Sequence, residues 1–160
     1  MDEKTVSPVT KSDIRRIWEI RNCPTSRRSS LNQQEIPFEK HISWFIKKYF
    51  EDKSNYCFTL KNGAEVIGYC RFDLDETGNY RTSIAIDPEL LGRGLGTFLL
   101  KESLSKLTTN KKILAEIKKD NEASIGVFVK NGFIKVSEDE NNLYFERGGR
   151  VNQQRIRKAQ

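Results

Sequence analysis

The stretch Ile84-Ala85-Ile86-Asp87-Pro88-Glu89-Leu90-Leu91-Gly92-Arg93-Gly94-Leu95-Gly96-Thr97 begins as a short apolar strand and leads into an amphipathic helix. Glycines at alternate positions between a strand and a helix let the backbone approach a ligand closely and turn several amide N–H groups toward one point. The dipole at the helix N-terminus also favours an anion there. This stretch therefore predicts a phosphate-binding loop, to which Arg93 can add a charged contact.

Two common phosphate motifs do not fit this loop. The Walker pattern ends in Gly-Lys-Ser/Thr, which this loop lacks. The dinucleotide-binding fingerprint belongs in a parallel βαβ unit at the start of a domain, whereas this loop follows three short strands that predict an antiparallel meander. Neither motif accounts for the loop, and taken alone it could equally be a tight turn that opens a helix.

The rest of the chain predicts an α/β fold of the mixed α+β kind, with a central, mostly antiparallel sheet of about six to seven strands and about four flanking helices. The predicted order is β-α-α-β-β-β-α-β-α-β-β. Strands are expected at 6–9, 56–60, 65–73, 80–86, 113–117, 133–136 and 143–145, and helices at 14–23, 37–49, 94–107 and 122–131. The polar, aperiodic stretch 25–34 is predicted to be a loop, and Trp18, Trp44 and Phe45 are expected in the core.

Length and composition indicate one domain over residues 1–147, followed by a basic, flexible tail over 148–160. Much of the net charge of +6 lies near this end of the chain, in Arg147, Arg150, Arg155, Arg157 and Lys158. Aromatic and basic residues do not interleave on any predicted element, which argues against a nucleic-acid partner.

Three cysteines and one histidine are too few and too scattered to predict a disulfide framework or a metal site. No apolar run is long enough to span a bilayer, and the first residues lack the apolar core of a signal peptide. We therefore expect a cytoplasmic protein that needs neither a metal nor a membrane, as a monomer or a homodimer.

Two motifs carry a resemblance to a known family. Leu91-Gly92-Arg93-Gly94-Leu95-Gly96 resembles motif A of the GNAT N-acetyltransferases, Gln/Arg-x-x-Gly-x-Gly/Ala, with Leu91 in place of the first Gln or Arg. Residues 121–133 resemble motif B of that family, Asn-x-x-Ser/Ala through an aromatic residue to Gly-Phe. The resemblance implies the GNAT fold and acetyl-CoA as co-substrate.

The same resemblance implies which residues bind acetyl-CoA. The end of the preceding strand is expected to splay from its neighbour and hydrogen-bond the pantetheine arm, while the loop binds the pyrophosphate. The implied cofactor-binding residues are Ile84, Ala85, Ile86, Leu91, Gly92, Arg93, Gly94, Leu95, Gly96, Thr97, Asn121, Ser124 and Phe128. Many members have a tyrosine where Phe128 stands, and a phenylalanine has no proton to give to the leaving thiolate.

The first half of the chain resembles a GNAT subgroup that includes acetyltransferases of nucleotide-linked amino sugars, ribosomal proteins and polyamines. The resemblance lies in the Arg-Asn pair at 21–22, in Arg27 and in the His-x-x-Trp-Phe pattern at 41–45. Candidate substrate-binding residues are Arg21, Asn22, Arg27 and His41, and the candidate catalytic residues are Glu116 and His41. The arginines, Arg28 included, could receive the diphosphate of a sugar nucleotide.

The acceptor amine must be neutral to attack a thioester. At pH 7, deprotonating an amine with a pKa of about 10.4 costs about 4.6 kcal/mol, against roughly 1 kcal/mol for one near 8. This difference favours an amino sugar or an α-amine over a lysine side chain. The best candidate reaction is direct transfer of the acetyl group to the primary amine of an amino sugar. A protein N-terminal, ribosomal-protein or polyamine acetyltransferase and a non-catalytic acetyl-CoA-binding sensor remain as alternatives.

Overall fold

The computed structural model describes residues 3–148, which form a seven-stranded sheet in the order β1-β2-β3-β4-β5-β7-β6. Every neighbouring pair is antiparallel except β4 with β5. The strands are β1 (Lys4–Pro8), β2 (Tyr56–Asn62), β3 (Glu65–Leu74), β4 (Tyr80–Ile86), β5 (Ile113–Lys118), β6 (Ile134–Glu138) and β7 (Asn142–Arg147). The predicted fold class and the meander β2-β3-β4 are confirmed.

Five α-helices flank this sheet within the described residues: α1 (Ile14–Asn22), α2 (Pro24–Ser29), α3 (Phe38–Ile46), α4 (Leu95–Lys106) and α5 (Glu122–Lys130). A π-helical turn at Lys47–Glu51 extends α3. The prediction of a loop over 25–34 is wrong in its first half, which α2 occupies. Helix α2 has Pro24 in its first turn and buries no residue, so it lacks the apolar periodicity by which a helix is found in sequence.

The two faces of the sheet carry different cores. Helix α4 contributes Leu99 and Leu100 to a large apolar cluster on one face, and α1 and α3 contribute Ile17 and Phe45 to a smaller cluster on the other. Trp44 was predicted in the core but is 41% exposed, because it lies one position from Phe45 on α3, at the edge of the stripe that packs on the sheet. We refer to the face covered by α1 and α3 as the acceptor face, because the candidate substrate-binding residues Arg21 and His41 lie on these two helices.

Strands β4 and β5 pair only at their first residues. The parallel register joins Tyr80 with Ile113 and Arg81 with Leu114 and then ends. Beyond Arg81 the two strands separate, while the other edge of β4 stays paired with β3 as far as Ile86. The sheet therefore has a gap in its middle, bounded on one side by the unpaired edge of β4.

The predicted basic tail falls almost wholly outside the described residues, which end at 148. Within 3–148, no helix combines the length and the apolar character needed to cross a lipid bilayer.

Candidate active site

A cleft of about 1210 Å³ follows the gap between β4 and β5. The cleft contains all but one of the residues predicted to bind acetyl-CoA. Arg93 is exposed and does not line the cleft. The residues that do are Ile84, Ala85, Ile86, Leu91, Gly92, Gly94, Leu95, Gly96, Thr97, Asn121, Ser124 and Phe128. Because the edge of β4 facing the gap has no strand partner, its peptide groups are free to pair with an extended amide chain.

The glycine loop ends in the N-terminus of α4. Gly92 and Gly94 have φ angles of 80° and 76°, in the left-handed region that favours glycine, and Gly94 is the N-cap of α4. The first intrahelical bond runs from Phe98 N to Gly94 O, which leaves the amide groups of the preceding turn without an intrahelical acceptor. These amides form an anion-binding site suited to a pyrophosphate.

Side chains around the loop hold it in this shape. Asp87 caps the turn before the loop by accepting a hydrogen bond from Glu89 N and forms an ion pair with Arg16 on α1. A Cβ at Gly96 would lie 3.1 Å from Val127 Cγ2, so this glycine lets α4 and α5 pack closely. The loop is thereby anchored to both faces of the sheet.

Helix α5 forms the opposite wall of the cleft. Its N-cap Asn121 accepts a hydrogen bond at Oδ1 from Ser124 N at 3.2 Å. Phe128, on the next turns, is buried and packs edge-on against Phe133 with ring centroids 4.9 Å apart. The ring at this point of the wall therefore carries no hydroxyl group.

The acceptor face of the sheet is polar where it borders the cleft. Residues opposite one another in register share a face, so Arg71 on β3 lies beside Ser83 on β4, and Glu116 on β5 lies beside Tyr144 on β7. All four line the cleft. An amine that reaches the gap from this side meets hydrogen-bonding groups rather than the apolar core.

Glu116 on β5 is a carboxylate of this polar surface. Its Oε1 accepts hydrogen bonds of 3.2 Å from Asn142 Nδ2 and from the Tyr144 hydroxyl, and Oε2 lies 3.7 Å from Arg81 Nη1. The Tyr144 hydroxyl also lies 2.6 Å from Asp139 Oδ2, and this bond raises the pKa of Tyr144 to about 12. One phenol proton cannot serve two carboxylates, so Glu116 retains acceptor capacity for a further donor.

A second polar cluster lies on β3 and was not identified from the sequence. Arg71 Nη1 donates to Asp73 Oδ2 at 3.1 Å and to the Tyr49 hydroxyl at 3.0 Å, and Lys48 Nζ lies 3.5 Å from Asp73. Burial opposes the charge on Arg71, but Tyr49 and Asp73 together hold its pKa above the ordinary value. The sequence pattern that could have indicated this cluster is the alternation Tyr69-x-Arg71-x-Asp73, which places polar groups on one face of a central strand.

The predicted substrate-binding residues lie at different places. Arg21 lines the main cleft and also a smaller pocket of about 350 Å³ beside it, in which His41 lies. Asn22 donates a hydrogen bond from Nδ2 to Ile36 O and accepts one at Oδ1 from Ile36 N. Arg27 Nη1 lies 3.7 Å from Glu35 Oε1. Asn22 and Arg27 line neither cavity, so their contact with the acceptor stays a prediction.

His41 does not line the main cleft and so lies apart from Glu116. The His41 side chain is 3% exposed, and its Nε2 has no hydrogen-bond partner among the described residues. Burial, followed by the charge of Arg71, lowers the pKa of His41 from 6.5 to about 4. The imidazole is therefore neutral at pH 7 and is a weak base.

The cysteines are poorly placed to carry an acyl group. Cys57 and Cys70 are buried, and burial raises the pKa of both thiols, that of Cys70 to about 12. Cys23 bonds Ile20 O and Ser26 Oγ and does not line the main cleft. Residues 3–148 also contain no group of three His, Cys, Asp or Glu side chains able to hold a metal ion.

The chain matches the family model of the acetyltransferase (GNAT) family over residues 14–133. This match covers α1 through the start of the segment after α5 and so includes the glycine loop, the gap and α5. No curated protein sequence matches the chain.

Solved structures of acetyltransferases share the fold. An N-acetyltransferase from Staphylococcus aureus Mu50 is 19% identical, with a TM-score of 0.76, and the match covers 91% of this chain and 98% of that one. Ribosomal-protein-alanine N-acetyltransferase from Brucella melitensis is 18% identical, with a TM-score of 0.77 and coverage of 90% and 99%. Spermidine N-acetyltransferase from Vibrio cholerae, in complex with CoA and spermine, is 15% identical, with a TM-score of 0.76 and coverage of 91% and 95%.

Proposed function

The chain belongs to the GNAT family and is an acetyl-CoA-dependent N-acetyltransferase, and we propose that it transfers the acetyl group directly to the primary amine of a nucleotide-linked amino sugar. Three features support this proposal: the unpaired edge of β4, the carboxylate of Glu116 across the gap from it, and the positive charge on the same face. Of these, the position of Glu116 carries the proposal.

In the proposed reaction, Glu116 binds the amine and takes up its proton. The ammonium form of the acceptor approaches Glu116 from the acceptor face, where Oε1 and Oε2 can still accept a hydrogen bond. Loss of one proton, directly or through a water molecule, leaves a neutral amine that can attack the thioester carbonyl. A C–N bond forms, the C–S bond breaks, and the amine loses its second proton.

The leaving thiolate must be protonated by a group other than residue 128. Phe128 lines the cleft but has no exchangeable proton. The Tyr144 hydroxyl lies in the same cleft, yet its bond to Asp139 raises its pKa and makes it a poor acid. We therefore propose that water, or the proton released by the amine, neutralises the thiolate.

Charge on the acceptor face favours an anionic carrier for the amine. Arg21 lines both cavities, and Arg71 keeps its charge beside them. Asp73, Asp75, Glu76 and Glu116 line the same cleft, so the preference for the diphosphate of a sugar nucleotide over a polyamine rests mainly on Arg21, which has no carboxylate partner among the described residues. An amino sugar also has a less basic amine than a polyamine or a lysine side chain, so it costs less to deprotonate.

A thiol-release assay with acetyl-CoA tests this proposal. The acceptor panel contains UDP- and dTDP-linked amino sugars, spermidine, an alanine-terminated peptide and an aminoglycoside, and acetyl-CoA binding is followed by calorimetry in parallel. We expect turnover with at least one sugar nucleotide at a kcat/KM about a hundredfold above the others, as one site-specific charge contact and the amine pKa together imply.

Other outcomes have equally definite meanings. Turnover with spermidine, the peptide or the aminoglycoside and none with any sugar nucleotide would contradict the proposed acceptor while leaving the enzyme class intact. The free amino sugar without its nucleotide is the matched control. If the free sugar is acetylated as fast as the nucleotide-linked one, the anionic carrier has no role in recognition.

A further inference from the structure

The pocket of about 350 Å³ beside the cleft is a separate feature of the acceptor face. We call it the His41 pocket. It is lined by Ile17, Arg21, Ile36, Lys40, His41, Trp44, Phe45, Tyr69 and Arg71. Its volume lies within the range of about 300–1,000 Å³ that is typical of small-molecule sites. Arg21, Tyr69 and Arg71 also line the main cleft, so the two cavities share a wall.

The lining of the His41 pocket is strongly asymmetric in charge. Three cationic side chains, Arg21, Lys40 and Arg71, come from three different elements, α1, α3 and β3. No carboxylate is among the lining residues of this pocket. Asp73 pairs with Arg71 from outside the pocket through Nη1 alone, so the other N–H groups of Arg71, together with Arg21 and Lys40, can serve an anionic ligand.

Two buried polar atoms of the pocket have no partner among the described residues. Arg21 donates through Nη2 to Asn32 O at 2.7 Å, but its Nη1 is buried without an acceptor. His41 Nε2 is likewise buried and unpaired on a side chain that is 3% exposed. Buried polar atoms without partners cost stability, so both atoms are available to an acceptor group brought by a ligand.

Aromatic rings form the remaining wall. His41, Phe45 and Trp44 pack against one another with centroid separations of 5.4 to 6.2 Å. Trp44 is exposed and contacts the Arg71 guanidinium, 5.3 Å from its ring centroid. An exposed tryptophan next to cationic groups offers a flat surface. An apolar part of the ligand, next to its anionic group, can pack on this surface.

We infer that the His41 pocket binds an oxyanion of the acceptor, a phosphoryl or carboxylate group, through Arg21 Nη1, Lys40 and Arg71. The inference rests on the proposed function, because it identifies the part of the acceptor that the pocket recognises. A bound oxyanion offsets the positive charge of Arg21 and Arg71, both of which lower the His41 pKa. His41 then takes up a proton more readily, and Nε2 can donate to the oxyanion.

The single histidine of the chain makes this testable by NMR. In untagged protein, the ring C–H signals of His41 are the only imidazole signals. The protein is first saturated with coenzyme A, which occupies the phosphate site of the glycine loop. Pyrophosphate and acetate are then titrated separately while the His41 pKa is followed. We expect saturable shifts with at least one probe and a rise of the His41 pKa by about one unit or more.

Two variants and one control localise the binding. Arg21→Met and the exposed Lys40→Met should each weaken binding of the effective probe about tenfold, the effect of losing one charged hydrogen bond. Lys47→Met is the matched control, because Lys47 is an exposed lysine on the turn that extends α3 and lines neither cavity, and it should leave binding unchanged. Circular dichroism checks that each variant is folded.

Failure of this inference differs from failure of the proposed function. His41 signals that neither probe moves, or that move equally in Arg21→Met and wild type, would overturn the oxyanion site even if a sugar nucleotide is acetylated. Binding of acetate but not pyrophosphate would keep the site and indicate a carboxylate acceptor. Binding of pyrophosphate together with no turnover of any sugar nucleotide would keep the site and reject the proposed acceptor.

Discussion

His41 illustrates how burial determines the chemistry of one side chain. Its imidazole packs against Phe45 and Trp44 and faces Arg21 from α1, Arg71 from β3 and Lys40 from its own helix. Every one of these neighbours that carries charge is positive. Sequence alone could suggest His41 as a general base, but not that these surroundings keep it neutral.

The free energy of unfolding should depend on His41 at acid pH. Its pKa is about 4 in the folded chain and 6.5 when unperturbed, so the unfolded state binds more protons between these values. Stability is therefore lost as the pH falls through this window, by roughly 2 kcal/mol at about pH 5. Urea unfolding of wild type and His41→Gln between pH 7.5 and 4.5 measures the difference. A wild-type curve parallel to that of the variant would contradict the lowered pKa.

Glu116 allows a test of the proposed proton acceptor. Glu116→Gln keeps the shape of the side chain but removes its charge, so we expect kcat/KM at pH 7 to fall by about a hundredfold or more, as for loss of a general base. The KM for acetyl-CoA should change little. Glu76→Gln is the matched control, because Glu76 also lines the cleft but is exposed on the turn after β3. Equal losses in both variants would remove the special role of Glu116.

At the level of elements, the glycine loop was predictable because its function depends on the backbone. Positive φ at Gly92 and Gly94 and the N-terminus of α4 follow from glycine spacing before an amphipathic segment. Helix α2 could not be predicted in the same way. It buries no side chain, and its contacts are with other elements, such as the bond from Lys118 Nζ on β5 to Arg28 O.

The acceptor face was less predictable than the loop. The cluster of Arg71, Asp73 and Tyr49 joins residues from β3 and the turn after α3, and no local pattern of the sequence relates them. The contacts of Glu116 with Tyr144 depend on the register of β5 with β7. Sequence reasoning found Glu116 by its place on a strand, but the partners that define its chemistry come from tertiary pairing.

Substitution of Gly94 should separate loop geometry from general strain. Gly94→Ala places an L-residue at a φ of 76°, which costs about 1–2 kcal/mol, and distorts the amides that bind the pyrophosphate. We expect the Kd for acetyl-CoA to rise about tenfold or more, since several amide contacts shift together. Gly78→Ala is matched, with a φ of 82° and, as at Gly94, nothing within 4 Å of the new Cβ. Calorimetry should find its Kd unchanged despite a similar loss of stability.

At the scale of the whole molecule, the gap divides the sheet into two parts. Strands β1 to β4 form one part, and β5, β7 and β6 form the other, joined in the sheet by only two residue pairs. The large apolar cluster beneath them, to which α4 contributes, connects the two parts on one face. Pantetheine bound along the free edge of β4 would add contacts across the gap, so acetyl-CoA should act as a structural link as well as a substrate.

Hydrogen exchange can measure this link. In the protein without ligand, amides of β5 and β7 should open at lower free energy than those of β2 and β3, which are central in the larger part. Acetyl-CoA at a hundred times its Kd adds about 2.7 kcal/mol of stability, and we expect protection to rise in residues 82–86 and in β5. Adenosine 3′-phosphate 5′-diphosphate keeps the pyrophosphate but lacks the pantetheine arm, and it is the matched ligand. If it protected β5 as strongly as acetyl-CoA does, the stabilisation would come from the phosphate site alone, and the gap would not be where acetyl-CoA joins the two parts of the sheet.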